Sequence, residues 1–383
     1  MSHPAASPEN PSAISPPPDS QHVVWADAAR EAAFSAWLSH LRDQHGLLPC
    51  SVRPASADAS FRRYLRIDSN AGSRIIMDAP PDQEDCRPFD KVATLMAQAG
   101  LLVPQVLAWD QTAGFMLLSD LGTQTMMQAI APTQPQACLA LYLQAIDALL
   151  AWQLASRPDV LPPYDETLLR RELELFPQWY LGQHRGVAID GDIRRTLDQA
   201  FGLITRENLA WPSVYVHRDF MPRNLMLPVP DARAGTADTA SGSPPPRRLG
   251  VLDFQDAVYG PITYDIASLM RDAFLSWEED FVLDVTIRYW ERARAAGLPV
   301  GPDFGAFYRG VEWMGLQRHL KVAGIFARLT LRDGKPQYLA DTPRFIHYIR
   351  ATAGRYRELK PLLRLVDKVE GVRATDAYAF GRL

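Results

Sequence analysis

The chain has 383 residues, 47% of them hydrophobic, which is enough for two domains or one large bilobal one with substantial cores. Forty basic side chains stand against forty-four acidic ones, a net charge of -4 that excludes a global field drawing the protein to nucleic acid or anionic lipid. Three cysteines, Cys50, Cys86 and Cys138, share no metal-ligand spacing and read as free thiols of a reducing compartment, so a cytoplasmic location is expected.

Residues 1–24 are mostly Pro, Ser and Ala, too poor in large apolar side chains to offset the entropy of ordering, and they predict a disordered tail without a secretory signal. A helix is expected at about 26–45, with Phe34, Trp37, Leu38 and Leu41 at helical spacing. Extended segments follow in "CSVRPA", "FRRYLRID" and "SRIIMDA", the last two joined by the turn "SNAGS". A helix at about 87–99 and the strands "QVLAWD" and "GFMLLSD" complete a small β-rich lobe, 25–118. Residues 119–383 read as a larger helical lobe, giving an α+β, bilobal fold class. Its apolar helix near 134–156 is interrupted by Gln144, Asp147 and Gln153 and is not expected to span a bilayer unaided. The segment 228–248, rich in Gly, Ser, Pro and Ala, predicts a flexible insertion.

Two short strands, "SVYVH" and "LGVLDF", interrupt the helical lobe and are expected to present a shared site at one edge of a small hairpin. The first runs into "VYVHRDFMPRNLML", which sets His217, Asp219 and Asn224 between apolar runs, and the second ends at Asp253. Magnesium prefers carboxylate and amide oxygens together with phosphate oxygens and water, so Asn224 and Asp253 suit it and leave Asp219 as a base. His217-Arg218-Asp219, Asn224 after four intervening residues, and Asp253-Phe254-Gln255 match the phosphoryl-transfer pattern of kinases. No G-x-x-x-x-G-K-[ST] stretch is present, which excludes a P-loop enzyme.

With these motifs the sequence resembles the aminoglycoside phosphotransferase and choline kinase superfamily, small-molecule kinases of protein-kinase-like fold. Within it, "DASFRRYLRI", "LLSDLG", "VHRDFMPRNLM", "LDFQDAVYGPITYDIASLMRD" and "LQRHLKVAGIFARL" are similar to the anomeric sugar kinases of cell-wall recycling, which act on N-acetylmuramate and N-acetylglucosamine. The resemblance implies ATP and Mg²⁺ as cofactors, Asp219 as catalytic base, Asn224 and Asp253 as metal ligands, and His217 and Asp265 as supports of the catalytic loop. It further implies ATP contacts from Ser119, Asp120 and Leu121 in the inter-lobe connector. Ser60 with Arg62 or Arg63 would reach phosphate oxygens in place of a glycine-rich loop. The superfamily's strand lysine is missing, since Met77 occupies its position.

For the sugar, Asp256, Glu174, Trp179, Arg318 and Lys321 are candidate contacts, the two cations suiting a lactyl carboxylate. The expected partner is a small-molecule sugar, with no nucleic acid and no membrane, and the expected state is a monomer. Two rival readings remain: another kinase of the same fold acting on an aminoglycoside, choline or homoserine, and a non-catalytic nucleotide-binding scaffold.

Overall fold

The computed structural model describes residues 23–25, 27–57, 61–227 and 248–372. Ser60, the tail up to residue 22 and residues 228–247 of the expected insertion lie outside the described residues. The chain divides into two compact units, Met1–Cys86 with Gln105–Asp120, and Arg87–Pro104 with Leu121–Leu383.

In the first unit, α1 (Ala28–His45) starts where the Asp27 carboxylate accepts the Ala29 N–H at 2.9 Å and stops at Gly46 in the left-handed region. Phe34, Leu38 and Leu41 recur at helical spacing, so one face of α1 buries against Leu65, Ile67, Ile76, Phe115 and Leu117. Those residues belong to a five-stranded antiparallel sheet of β1 (Arg53–Ala57), β2 (Arg63–Ser69), β3 (Gly72–Asp78), β4 (Val106–Asp110) and β5 (Phe115–Ser119), in the order β1-β2-β3-β5-β4. Alternate residues of β2 face the core, as the pleat requires. Asp78 ends β3 almost fully buried and receives both Arg30 at 2.5 Å and Arg63 at 2.6 Å. Arg63 also lies over the Trp25 ring at 4.0 Å.

The second unit opens with α2 (Arg87–Gln98). The sequence places this helix in the small lobe, but it packs in the second unit, with the Phe89 ring 4.9 Å from that of Phe254. Its amphipathic spacing predicts a buried face without saying which partner covers it. The short α3 (Met126–Ala129) is held by a Thr125–Gln128 capping box. Then come α4 (Pro135–Leu154), α5 (Glu166–Leu173), a π-helical segment (Phe176–His184) and α6 (Gly191–Leu209). Among the described residues α4 is the one helix long and apolar enough to cross a membrane by length and composition. Here its polar residues are engaged within the unit: Asp147 pairs with Arg292 at 2.6 Å, and Gln153 accepts from the Tyr289 hydroxyl at 2.6 Å.

Four short strands follow: β6 (Ser213–Val216), β7 (Leu225–Met226), β8 (Gly250–Val251) and β9 (Val258–Pro261). The expected hairpin differs in its partners. β6 pairs with β9, and β8 pairs with β7, both antiparallel. β9 escapes notice in the sequence because "VYGP" carries a glycine and a proline, both weak strand formers. The glycine has a packing reason, since a Cβ at Gly260 would sit 2.5 Å from the Tyr164 Cβ. After β9 come α7 (Thr263–Met270), α8 (Glu279–Ala295), the 28-residue α9 (Phe304–Leu331), α10 (Thr342–Arg355) and α11 (Lys360–Glu370). Gly324 lets α9 lie directly on the chain after α5, where an added Cβ would come within 2.4 Å of the Leu175 carbonyl. That contact fixes where α9 holds its polar residues Gln317, Arg318 and Lys321.

Candidate active site

β6 is buried through Val214, Tyr215 and Val216 and then delivers His217, Arg218 and Asp219 to a loop. Asp265, on the first turn of α7, accepts the His217 N–H at 2.7 Å and the Arg218 N–H at 3.0 Å. The His217 ring is equally committed. Its Nε2 donates to the Leu252 carbonyl at 2.9 Å, and its Nδ1 accepts the Asp219 N–H at 3.2 Å. These two bonds require the neutral tautomer, and burial lowers the His217 pKa in the same sense. Both ring nitrogens of His217 are therefore engaged in bracing the loop.

The turn Pro222–Asn224 brings Asn224 back toward Asp219. The Asn224 Nδ2 donates to the Asp219 carbonyl at 2.9 Å and to the Asp253 carboxylate at 3.2 Å. Asp253 also accepts from the Gln255 amide at 2.9 Å, and its carboxylate stands in an exposed position just beyond β8. With Nδ2 engaged, the Asn224 Oδ1 is directed away from both bonds as an oxygen donor. One amide oxygen and one carboxylate, held by neighbours and open to solvent, fit a hard divalent cation that takes its other ligands from water and phosphate.

Two non-glycine residues of these loops have positive φ, Arg218 at 77° and Asp253 at 63°. Each such conformation costs about 1–3 kcal/mol and persists only where neighbours over-determine it. For Arg218 they do. Its N–H is held by Asp265, its guanidinium pairs with the Glu172 carboxylate, and its carbonyl accepts from Arg318.

Glu172, which the sequence offers with Glu174 as a substrate-pocket residue in "RELELFPQWYLG", is the centre of a buried ionic cluster that the sequence reading passed over. It pairs with Arg218 and with Lys321 at 3.1 Å, and it accepts from the Tyr164 hydroxyl and from the Gln317 amide at 3.0 Å. Burial alone would raise its pKa, but Lys321 and Arg218 outweigh burial and hold it at about 2. The sequence did contain a signal. Leu169, Glu172, Leu173 and Phe176 fall at the three- and four-residue intervals of one buried helical face, whereas Glu174 does not.

Asp219 remains 39% exposed, with the Arg318 guanidinium 3.8 Å from its Oδ1. Burial would raise its pKa, yet Lys321, Arg318 and Arg218 together bring it below the usual carboxylate value. The arrangement thus offers an ionised carboxylate as acceptor for a substrate hydroxyl, beside a pair of metal-competent oxygens. A model of the phosphotransferase enzyme family matches residues 51–300. The chain belongs to that family.

Within the family, the chain is 49% identical to the N-acetylmuramate/N-acetylglucosamine kinase of Pseudomonas aeruginosa, over 82% of this chain and 87% of that protein. The kinase of the same name from Pseudomonas putida is 46% identical, over 92% and 97%. Among solved structures, Plasmodium vivax ethanolamine kinase superposes with a TM-score of 0.54 at 10% identity, covering 90% of this chain and 93% of that one. An ADP-bound aminoglycoside phosphotransferase gives 0.51 at 13% identity, covering 84% and 97%. These likenesses show the kinase fold of the aminoglycoside phosphotransferase and choline kinase group.

The other residues singled out in the sequence fall as follows. Arg318 and Lys321 share a face of α9 beside Asp219, both buried, with Lys321 committed to Glu172. The Asp256 carbonyl accepts from Arg218, which puts it at the same loop. Glu174 pairs with Arg194 at 2.9 Å, and Trp179 packs on the helical core built around α9 and α10, so neither joins the Asp219 cluster. In the first unit, Arg62 pairs with Glu84 at 3.1 Å, Arg63 is tied to Asp78, the Ser119 hydroxyl accepts the Gln105 N–H, and Asp120 pairs with Arg66 at 2.6 Å. Leu121, already in the second unit, lies against Gly250. Met77 is fully buried in the sheet.

Asp265 makes the site's pH response calculable in sign. Burial pushes it up to about 6, against the pull of His217 and the two N–H donors. Only the carboxylate accepts both N–H groups, so turnover is expected to fall as pH drops through about 6, well above the range in which Asp219 would protonate. Stability runs the other way. A folded pKa above the unfolded value of about 3.9 favours the fold most below that value, and the contribution is lost as pH rises through about 6. Asp272, which burial also pushes up to about 6, adds in the same direction. Profiles of kcat and of melting temperature from pH 5 to 8 check this, and a kcat profile flat down to pH 5 would refute it.

Proposed function

We propose that the chain transfers the γ-phosphoryl group of ATP to the anomeric hydroxyl of N-acetylmuramate and N-acetylglucosamine, with Mg²⁺, in the recycling of cell-wall sugars. The observation that carries this reading is the 46–49% identity to three kinases named for these two sugars, over at least 82% of this chain. The ordered carboxylate and amide groups of the second unit supply the chemistry such a reaction needs. The proposed setting is the cytoplasm, where ATP is available.

Asp219 accepts a hydrogen bond from the C1 hydroxyl and aims its oxygen at the γ-phosphorus. The new O–P bond forms as the bond to the β,γ-bridging oxygen breaks, ADP leaves, and the hydroxyl proton passes to the Asp219 carboxylate. A low pKa at Asp219 suits this order of events, because a largely dissociative transition state asks for orientation before it asks for a strong base. Asn224 and Asp253 would hold Mg²⁺, whose charge offsets that of the phosphate oxygens. His217 and Asp265 keep the Asp219 main chain in place, and the Glu172 cluster keeps Arg218 in its strained conformation.

Transfer from γ-labelled ATP to N-acetylmuramate, N-acetylglucosamine, choline, homoserine and kanamycin tests the reading. The expected product is a glycosyl phosphate, made from the two sugars alone and hydrolysed in mild acid, unlike a primary phosphate ester. Efficient labelling of choline, homoserine or kanamycin, or an acid-stable sugar phosphate, would sink it.

A further inference from the structure

The two proposed substrates differ in one respect that matters electrostatically: N-acetylmuramate carries a lactyl carboxylate on its ring and N-acetylglucosamine does not. A site that accepts both needs a cation able to meet that carboxylate and able to stand unpaired when it is absent. Most cations near Asp219 are already consumed. Arg218 and Lys321 neutralise Glu172. Arg318 is buried, lies over the Tyr264 ring at 4.9 Å, and serves the Arg218 carbonyl and Asp219. Arg271 is held by Glu279 at 2.9 Å and by the Tyr308 hydroxyl.

Arg223 is different. It is exposed, and among the described residues it makes no hydrogen bond or ion pair. Its guanidinium lies over the Phe274 ring at 4.6 Å, and Phe274 is itself backed by Phe326 at 5.8 Å. A cation–π contact of this kind restrains the guanidinium without using its N–H donors, which stay available for a carboxylate. The carboxylate that feels its charge from within the protein, Asp272, is buried; its Oδ1 accepts the Phe274 and Leu275 N–H groups, and its Oδ2 makes no hydrogen bond to Arg223. The backbone of Arg223 is fixed as well. It sits in the turn Pro222–Asn224, next to the residue whose amide bridges Asp219 and Asp253.

We infer that Arg223 is a specificity-determining residue that binds the lactyl carboxylate of N-acetylmuramate, with the Phe274 ring supporting its guanidinium. This rests on the function proposed above. The lactyl ether is two ring carbons from the attacked C1, and Arg223 adjoins Asn224, whose amide donates to the Asp219 carbonyl.

Steady-state kinetics on both sugars for wild type, Arg223→Ala and Arg223→Lys test it, with thermal melting as a check on the fold. In Arg223→Ala the ratio of kcat/KM for N-acetylmuramate to that for N-acetylglucosamine is expected to fall about 10- to 100-fold, mainly through KM for N-acetylmuramate. Arg223→Lys should recover part of the ratio by charge alone. A ratio unchanged in Arg223→Ala, or a parallel fall on both sugars, overturns the assignment. Wild type that phosphorylates neither sugar would overturn the proposed function instead, and the assignment with it.

Discussion

Replacing Asp219 by Asn is expected to lower kcat by about three orders of magnitude, the middle of the range for loss of a general base, while leaving nucleotide affinity nearly unchanged. The side chain keeps its size, so the change removes the charge and one acceptor without opening a cavity. The His217 and Asn224 bonds to this residue go to its main-chain N–H and carbonyl, and both survive the substitution. What is lost is the ionised carboxylate that Lys321, Arg318 and Arg218 hold below its usual pKa. Turnover by a coupled ADP assay and nucleotide binding by calorimetry separate the two effects. A variant retaining a tenth or more of wild-type kcat would remove Asp219 from the role of base.

The second large effect is expected at Asp253. Asp253→Asn keeps a side chain that tolerates the positive φ of 63° found here, so the backbone has no reason to move. It removes the charge that would face Mg²⁺ and makes one oxygen a donor opposite the Asn224 amide. Transfer is expected to fall at least about 100-fold, or about 2.7 kcal/mol of transition-state stabilisation, with partial recovery as Mg²⁺ is raised. If the magnesium dependence of turnover kept its wild-type midpoint, the metal role would have to go elsewhere.

Much of the catalytic loop was legible because its residues are close in sequence. His217, Asp219 and Asn224 lie within eight positions, and the spacing alone sets them in one turn between apolar strands. Asp253 was legible as a second strand end. The pairing of those strands was not, since β7 and β8 have two residues each and β9 hides in a glycine- and proline-bearing stretch. Burial geometry was harder still. The three-residue spacing of Arg318 and Lys321 puts both on one helical face, but periodicity names a face and never its partner. Glu172 reaches Lys321 from α5 and collects Tyr164 from the segment before α5 and Gln317 from α9, through a close approach of the two chains at Gly324. For the same reason α2 was read with the small lobe, when Phe254 is what covers Phe89.

Leu252 receives the His217 ring at its carbonyl and, through its N–H, donates to the Asn224 carbonyl at 2.9 Å. The N–H and the carbonyl of this one residue are thus both gripped by the strand-to-turn segment that bears Asp219, while its own chain continues directly into Asp253. The loop bearing Asp219 and the loop bearing Asp253 are therefore tied into a single piece. The spacing between the Asp219 and Asp253 carboxylates is thereby set by hydrogen bonds between the loops, without either loop having to be rigid by itself.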